Sequence, residues 1–150
     1  LAHLRDRLFE EVRTKRNLTY AVSAGLSARR QNYGYVYTTA TDPETTMGVI
    51  FGEIAALKDT LMSQEELEQV VNVFLTRHFM ELETNDGQAS LLKEAHIVNG
   101  DWREADSFLE RVRAVTPEQV QEVMRRYVKD PRFGVVGPRD GLEERFFQLN

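Results

Sequence analysis

His78-Phe79-Met80-Glu81-Leu82 follows most of the zinc pattern H-x-x-E-H. In that pattern two histidines share one helix face and hold the metal, while the glutamate activates water. Here Leu82 stands where the second histidine belongs. A catalytic zinc needs about three protein ligands, and the chain's His3, His78 and His96 fall on three different predicted helices. His78 also lies on the apolar stripe of its own helix, which points to a partly buried, hydrogen-bonded core histidine. The chain is therefore expected to bind no metal of its own.

Other catalytic chemistries are equally thin. With no cysteine there is no thiolate nucleophile, zinc finger or disulfide. Ser63 and Thr116 read as helix caps, and Ser23 and Ser27 lack a neighbouring histidine or a Gly-x-Ser-x-Gly elbow. Gly134-Val135-Val136-Gly137-Pro138 is too short for a nucleotide loop. The carboxylate pairs Glu10-Glu11, Glu65-Glu66 and Glu143-Glu144 sit on polar faces and read as solvated.

The elements that carry these residues follow from periodicity. Leu1, Leu4, Leu8 and Val12 recur at helical spacing and predict an amphipathic helix ending near Arg16-Asn17. From Tyr20 the period becomes two: Tyr20, Val22, Ala24, Leu26 and Ala28 share one face, and Ser23, Ser27 and Arg29 the other. Tyr33, Tyr35, Tyr37 and Thr39 repeat the pattern, so the two runs predict an antiparallel hairpin. Asp42-Pro43-Glu44 starts a helix with Met47, Ile50, Phe51, Ile54, Leu57 and Leu61 on its apolar face. Ser63-Gln64-Glu65-Glu66 is a capping box for the next, which runs through Leu67, Phe74 and Leu75 until Asn85-Asp86-Gly87 stops it. Shorter helices are predicted near 88–98 and 103–114, and another from Thr116-Pro117 through Tyr127. Phe133 to Val136 reads as a last strand, and the tail from Arg139 carries Leu142, Phe146 and Phe147 at loosely helical spacing.

Segregated strands and helices predict an α+β fold, an antiparallel sheet with helices packed on one face. The 150 residues suit a single domain spanning 1–150. Three strands are few for so many helices, so further strands are expected upstream of Leu1 in a longer protein. The net charge of −5 argues against a nucleic-acid partner, and no apolar run approaches the roughly 20 residues that span a bilayer.

The stretch from Leu8-Phe9-Glu10-Glu11-Val12-Arg13 through Asn17-Leu18-Thr19-Tyr20 to Ala24 resembles a helix-to-strand signature. It is that of the pitrilysin and insulinase zinc metallopeptidases, whose relatives include mitochondrial processing peptidase. Those proteins write a leucine-rich helix, an Arg, a short basic turn, then Leu-x-Tyr entering a strand. The likeness continues through Glu65-Glu66-Leu67, Glu83-Thr84-Asn85, Gly100-Asp101-Trp102, Val115 to Val120, and Val136-Gly137-Pro138.

The resemblance implies two similar halves or subunits closing around an unfolded peptide, each half built from two related α+β domains. Zinc belongs to the first domain of the catalytic half, and this chain resembles a later, non-zinc domain. The family's Arg and Tyr match Arg13 and Tyr20, which would donate hydrogen bonds to substrate carbonyls at the scissile region. Expected partners are a zinc-bearing half, a peptide substrate, and a second copy pairing along an exposed sheet edge. Two other readings stand beside it: a catalytically inactive structural or partner-binding homologue, and an unrelated ligand-binding domain with a buried pocket lined by Tyr33, Tyr35 and Tyr37. Where relatives often carry Gly before Leu, this chain has Asn17, which also tolerates left-handed backbone.

Overall fold

The computed structural model describes residues 1–27, 32–138, 140 and 142–148. Ala28, Arg29 and the start of the tail at Arg139 lie outside the described residues. The described elements are α1 (Ala2–Leu8), a π-helical turn (Phe9–Thr14), β1 (Val22–Leu26), β2 (Gly34–Thr38), α2 (Pro43–Asp59), α3 (Gln64–Glu81), α4 (Asn85–Asn99), α5 (Glu104–Arg113), α6 (Pro117–Tyr127) and a 3-10 turn (Glu144–Phe147). The α+β class is as expected, and the sheet is a two-stranded antiparallel hairpin that pairs Val22 with Thr38 and Leu26 with Gly34.

Two compact units divide the chain. The first comprises residues 1–26, 34–61 and 121–150. Its core joins Leu4, Leu8 and Val12 to Ala24 of β1, Ile50, Ile54 and Leu57 of α2, and Met124 of α6. The leucine spacing thus buries one stripe of the first helix against both β1 and α2. Asp42 caps α2 by accepting from the Thr45 backbone N–H at 3.1 Å, and Pro43 occupies the first helical position, where no backbone N–H is needed. Tyr35 lies across Gly25, where a Cβ would come within 2.7 Å of its hydroxyl.

The second unit comprises 27–33 and 62–120. Ser63 and Glu66 form the expected capping box at α3, with reciprocal bonds of 3.1 and 2.7 Å. Leu67 and Leu75 of α3, Ala95 of α4 and Ala105 of α5 are buried. Gly100 ends α4 in the left-handed region at φ 84°, which its missing Cβ permits.

Two elements differ from the sequence reading. Asn85-Asp86-Gly87 forms the first turn of α4, because the Thr84 hydroxyl accepts from the Gly87 N–H at 3.0 Å and caps the helix there. Phe133 to Val136 joins no sheet among the described residues. Alternation of this kind favours extended backbone, but a strand also needs a partner ladder. The Phe133 ring instead packs 6.0 Å from Phe51 and 5.4 Å from Phe147, leaving Val136 fully exposed.

Candidate functional site

Arg13 and Tyr20 flank the junction where the first helix gives way to β1. The helix widens there. The Lys15 N–H bonds the Glu10 carbonyl at 2.9 Å, a five-residue step characteristic of π-helix. Asn17 then adopts φ 50°, its N–H reaching Arg13 O at 2.9 Å while Leu18 N–H reaches Val12 O at 3.0 Å. Each closing bond spans one residue more than in a Schellman motif. The left-handed turn expected at Asn17 is present.

Thr19 fixes the start of the strand. It is 6% exposed, and its hydroxyl donates to Ala21 O at 2.8 Å, accepts from Ala21 N–H at 3.1 Å, and lies 3.1 Å from Thr39 Oγ1. Thr38 Oγ1 donates to it at 3.2 Å. With Thr19 turned inward and satisfied, its neighbour Tyr20 turns outward and is 85% exposed.

Charge pairing around the junction is selective. Arg5 pairs with Asp6 and Arg7 with Glu53, while Lys15 and Arg16 both pair with Glu11 at 2.6 Å. Hydrogen bonds from Lys15 and then Arg16 hold the Glu11 carboxyl down to about 2. Among the described residues Arg13 has no carboxylate partner. Its guanidinium sits over two rings, 4.9 Å from the Phe9 centroid and 5.5 Å from the Tyr20 centroid, within the range of a cation–π contact. Arg13 and Tyr20 are thus brought together, their polar groups without hydrogen-bond partners among the described residues. Phe9 was not singled out from the sequence, although its four-residue spacing from Arg13 places the two on one helix face.

The histidine of the near-zinc pattern has a different environment. His78 packs parallel to Phe74 with centroids 6.1 Å apart, and 5.6 Å from Phe108. Among the described residues its neighbours are aromatic rings, and no hydrogen bond holds its imidazole. Among the described residues no group of three metal-ligating side chains gathers anywhere. Tyr33, Tyr35 and Tyr37 are 58%, 50% and 55% exposed, so they line no buried pocket. A groove of about 280 Å³ in the second unit mixes Leu67, Val71 and Leu75 with Gln64, Glu68 and Arg113.

No curated protein sequence matches the chain significantly. Among solved structures, a candidate zinc protease from Bordetella pertussis Tohama I superposes with a TM-score of 0.58 at 23% identity, over 79% of this chain and 66% of that one. The periplasmic protease PqqL from Escherichia coli superposes with a TM-score of 0.63 at 16% identity, over 85% of this chain and 15% of that one. At these identities the likeness shows a shared fold, and this chain spans less than two thirds of either relative. Residues 2–74 match the family model described as the peptidase M16 inactive domain. That segment holds α1, the π-helical turn, Arg13, Tyr20, the hairpin and α2. Residues 2–74, just under half of the chain, are thus similar to the inactive domain of the M16, or pitrilysin-like, peptidase family.

Proposed function

We propose that the chain, taken as one domain over 1–150, lines the peptide chamber of a zinc metallopeptidase whose metal is held by a separate half. In this reading Arg13 and Tyr20 donate hydrogen bonds to backbone carbonyls of an unfolded peptide beside the scissile bond. The zinc of the other half supplies the activated water. This chain's residues orient the peptide and meet charge that develops on its carbonyl oxygens. An arginine offers five N–H donors and a tyrosine one O–H.

The observation that carries the reading is the uncommitted polar chemistry of this pair. Each of the cations Arg5, Arg7, Lys15 and Arg16 engages a carboxylate, whereas Arg13 rests on aromatic faces with no partner for its donors among the described residues, beside an exposed phenol.

The test is hydrolysis of an internally quenched fluorescent peptide by the assembled peptidase. Removing one donor to a developing oxyanion typically costs about 2.7–4 kcal/mol, roughly a hundred- to a thousandfold in rate. Arg13→Ala and Tyr20→Phe should each approach that loss while unfolding at the wild-type temperature. Full activity in both would make the pair structural and the chain a scaffold or partner-binding domain.

A further inference from the structure

We propose that Phe9 is a positioning residue, a ring that holds the Arg13 guanidinium in the orientation that receives peptide. The inference rests on the reading of Arg13 as a substrate donor and adds the device that prepares it. Phe9 lies outside the buried stripe of its helix. The buried face of this helix is Leu4, Leu8 and Val12, all at 1% exposure or less, while Phe9 is 45% exposed. Its ring contact is with Arg13. A free arginine samples many rotamers, and ordering them on binding weakens affinity. A flat ring engages the flat face of the guanidinium and leaves its edge, where the N–H groups lie, pointing outward. A carboxylate at position 9 would also restrain the cation, but by occupying the same donors. Glu11 does this to Lys15 and Arg16. The Tyr20 ring lies within reach of the guanidinium as well, at 5.5 Å, so the cation has two aromatic neighbours at the one junction.

Phe9→Leu keeps apolar bulk and removes the ring, and Phe9→Tyr restores the ring. Two readouts are needed. In the chain itself, the Nε–H resonance of Arg13 should be displaced by ring current in wild type and in Phe9→Tyr, and the displacement should shrink in Phe9→Leu to the part that the Tyr20 ring contributes. In the assembled peptidase with an internally quenched peptide, Phe9→Leu should lower kcat/KM about two- to fivefold, the range of an exposed cation–π contact. Phe9→Tyr should restore it. Because Phe9 acts through Arg13, Phe9→Leu should cause no further loss in an Arg13→Ala background. An unshifted Arg13 resonance in wild type, failure of Phe9→Tyr to restore activity, or an equal loss in the Arg13→Ala background would each overturn the proposal. A large loss in Arg13→Ala with none in Phe9→Leu defeats the role of Phe9 alone. Full activity in Arg13→Ala defeats the parent reading, and this one with it.

Discussion

Asn17 offers the sharpest test of how the junction is held. It is an exposed residue at φ 50°, and its side chain forms no hydrogen bond among the described residues. A substitution there removes no buried surface, so nearly all of the effect comes from backbone conformation. The left-handed region costs an ordinary L-residue roughly 1–2 kcal/mol, asparagine tolerates it better, and a β-branched residue is the worst fit. Asn17→Val should therefore destabilise the protein by about 1–2 kcal/mol. Asn17→Gly relieves the torsional cost but loosens the unfolded chain, and these effects nearly cancel, within about 0.5 kcal/mol.

The same substitution reaches the site. If valine forces position 17 out of the left-handed region, the bonds from Asn17 N–H to Arg13 O and from Leu18 N–H to Val12 O must loosen. Tyr20 would then leave the Arg13 guanidinium, now 5.5 Å from its ring. Urea unfolding of the valine, glycine and wild-type proteins measures the stability term, and the Arg13 Nε–H resonance reports the geometry. Equal stability of Asn17→Val and wild type would refute the reasoning. So would equal destabilisation by valine and glycine, since that would locate the effect in the asparagine side chain and not in the backbone.

Two further outcomes are expected. Glu11, lowered from 4.5 to about 2 by Lys15 and Arg16, contributes stability that is complete above the ordinary glutamate range and is lost as pH falls through its folded value; the deficit of Glu11→Gln should accordingly be constant near neutrality and vanish between about pH 4.5 and 2, and a carboxyl NMR midpoint near 4.5 for Glu11 would contradict it. Thr19→Val removes the hydroxyl that Ala21 N–H, Thr38 and Thr39 share, and should cost about 1–3 kcal/mol in urea unfolding because polar partners are left unmatched; unchanged stability would show that the threonines hold nothing in place.

Helix starts were the most legible part of the sequence, because a cap and the backbone group it serves lie within one turn. Asp42 with Thr45, Ser63 with Glu66, and Thr116 with Gln119 all bond as their spacing implies. Asn85-Asp86-Gly87 misled for a related reason: residues that favour a turn after one helix also suit the first turn of the next. Phe133 to Val136 misled because alternation reports a preference for extended backbone, whereas pairing depends on what lies beside it. The π-helical turn was invisible, since its residues suit an α-helix equally and only the hydrogen-bond step distinguishes the two.

The site divides along the same line. Arg13 and Tyr20 came from a resemblance, and no local rule would have chosen Arg13 over Arg16. The structure supplies a physical distinction between them. Glu11 lies four residues before Lys15 and five before Arg16, so the widened turn carries both cations to one carboxylate. It lies two before Arg13, a spacing that does not meet on a helix surface, and Phe9 takes the four-residue position instead. The π-helical turn thus sorts three neighbouring cations into two paired with one carboxylate and one that rests on aromatic rings, with no carboxylate partner among the described residues. Thr19 sorts the strand side in the same way: by turning inward and satisfying its hydroxyl, it leaves Tyr20 exposed beside that cation. Two local structures, the π-helical turn and the inward-turned Thr19, converge on one exposed pair. That convergence is the physical reason to look for function at this junction and not at the histidine of the broken zinc pattern.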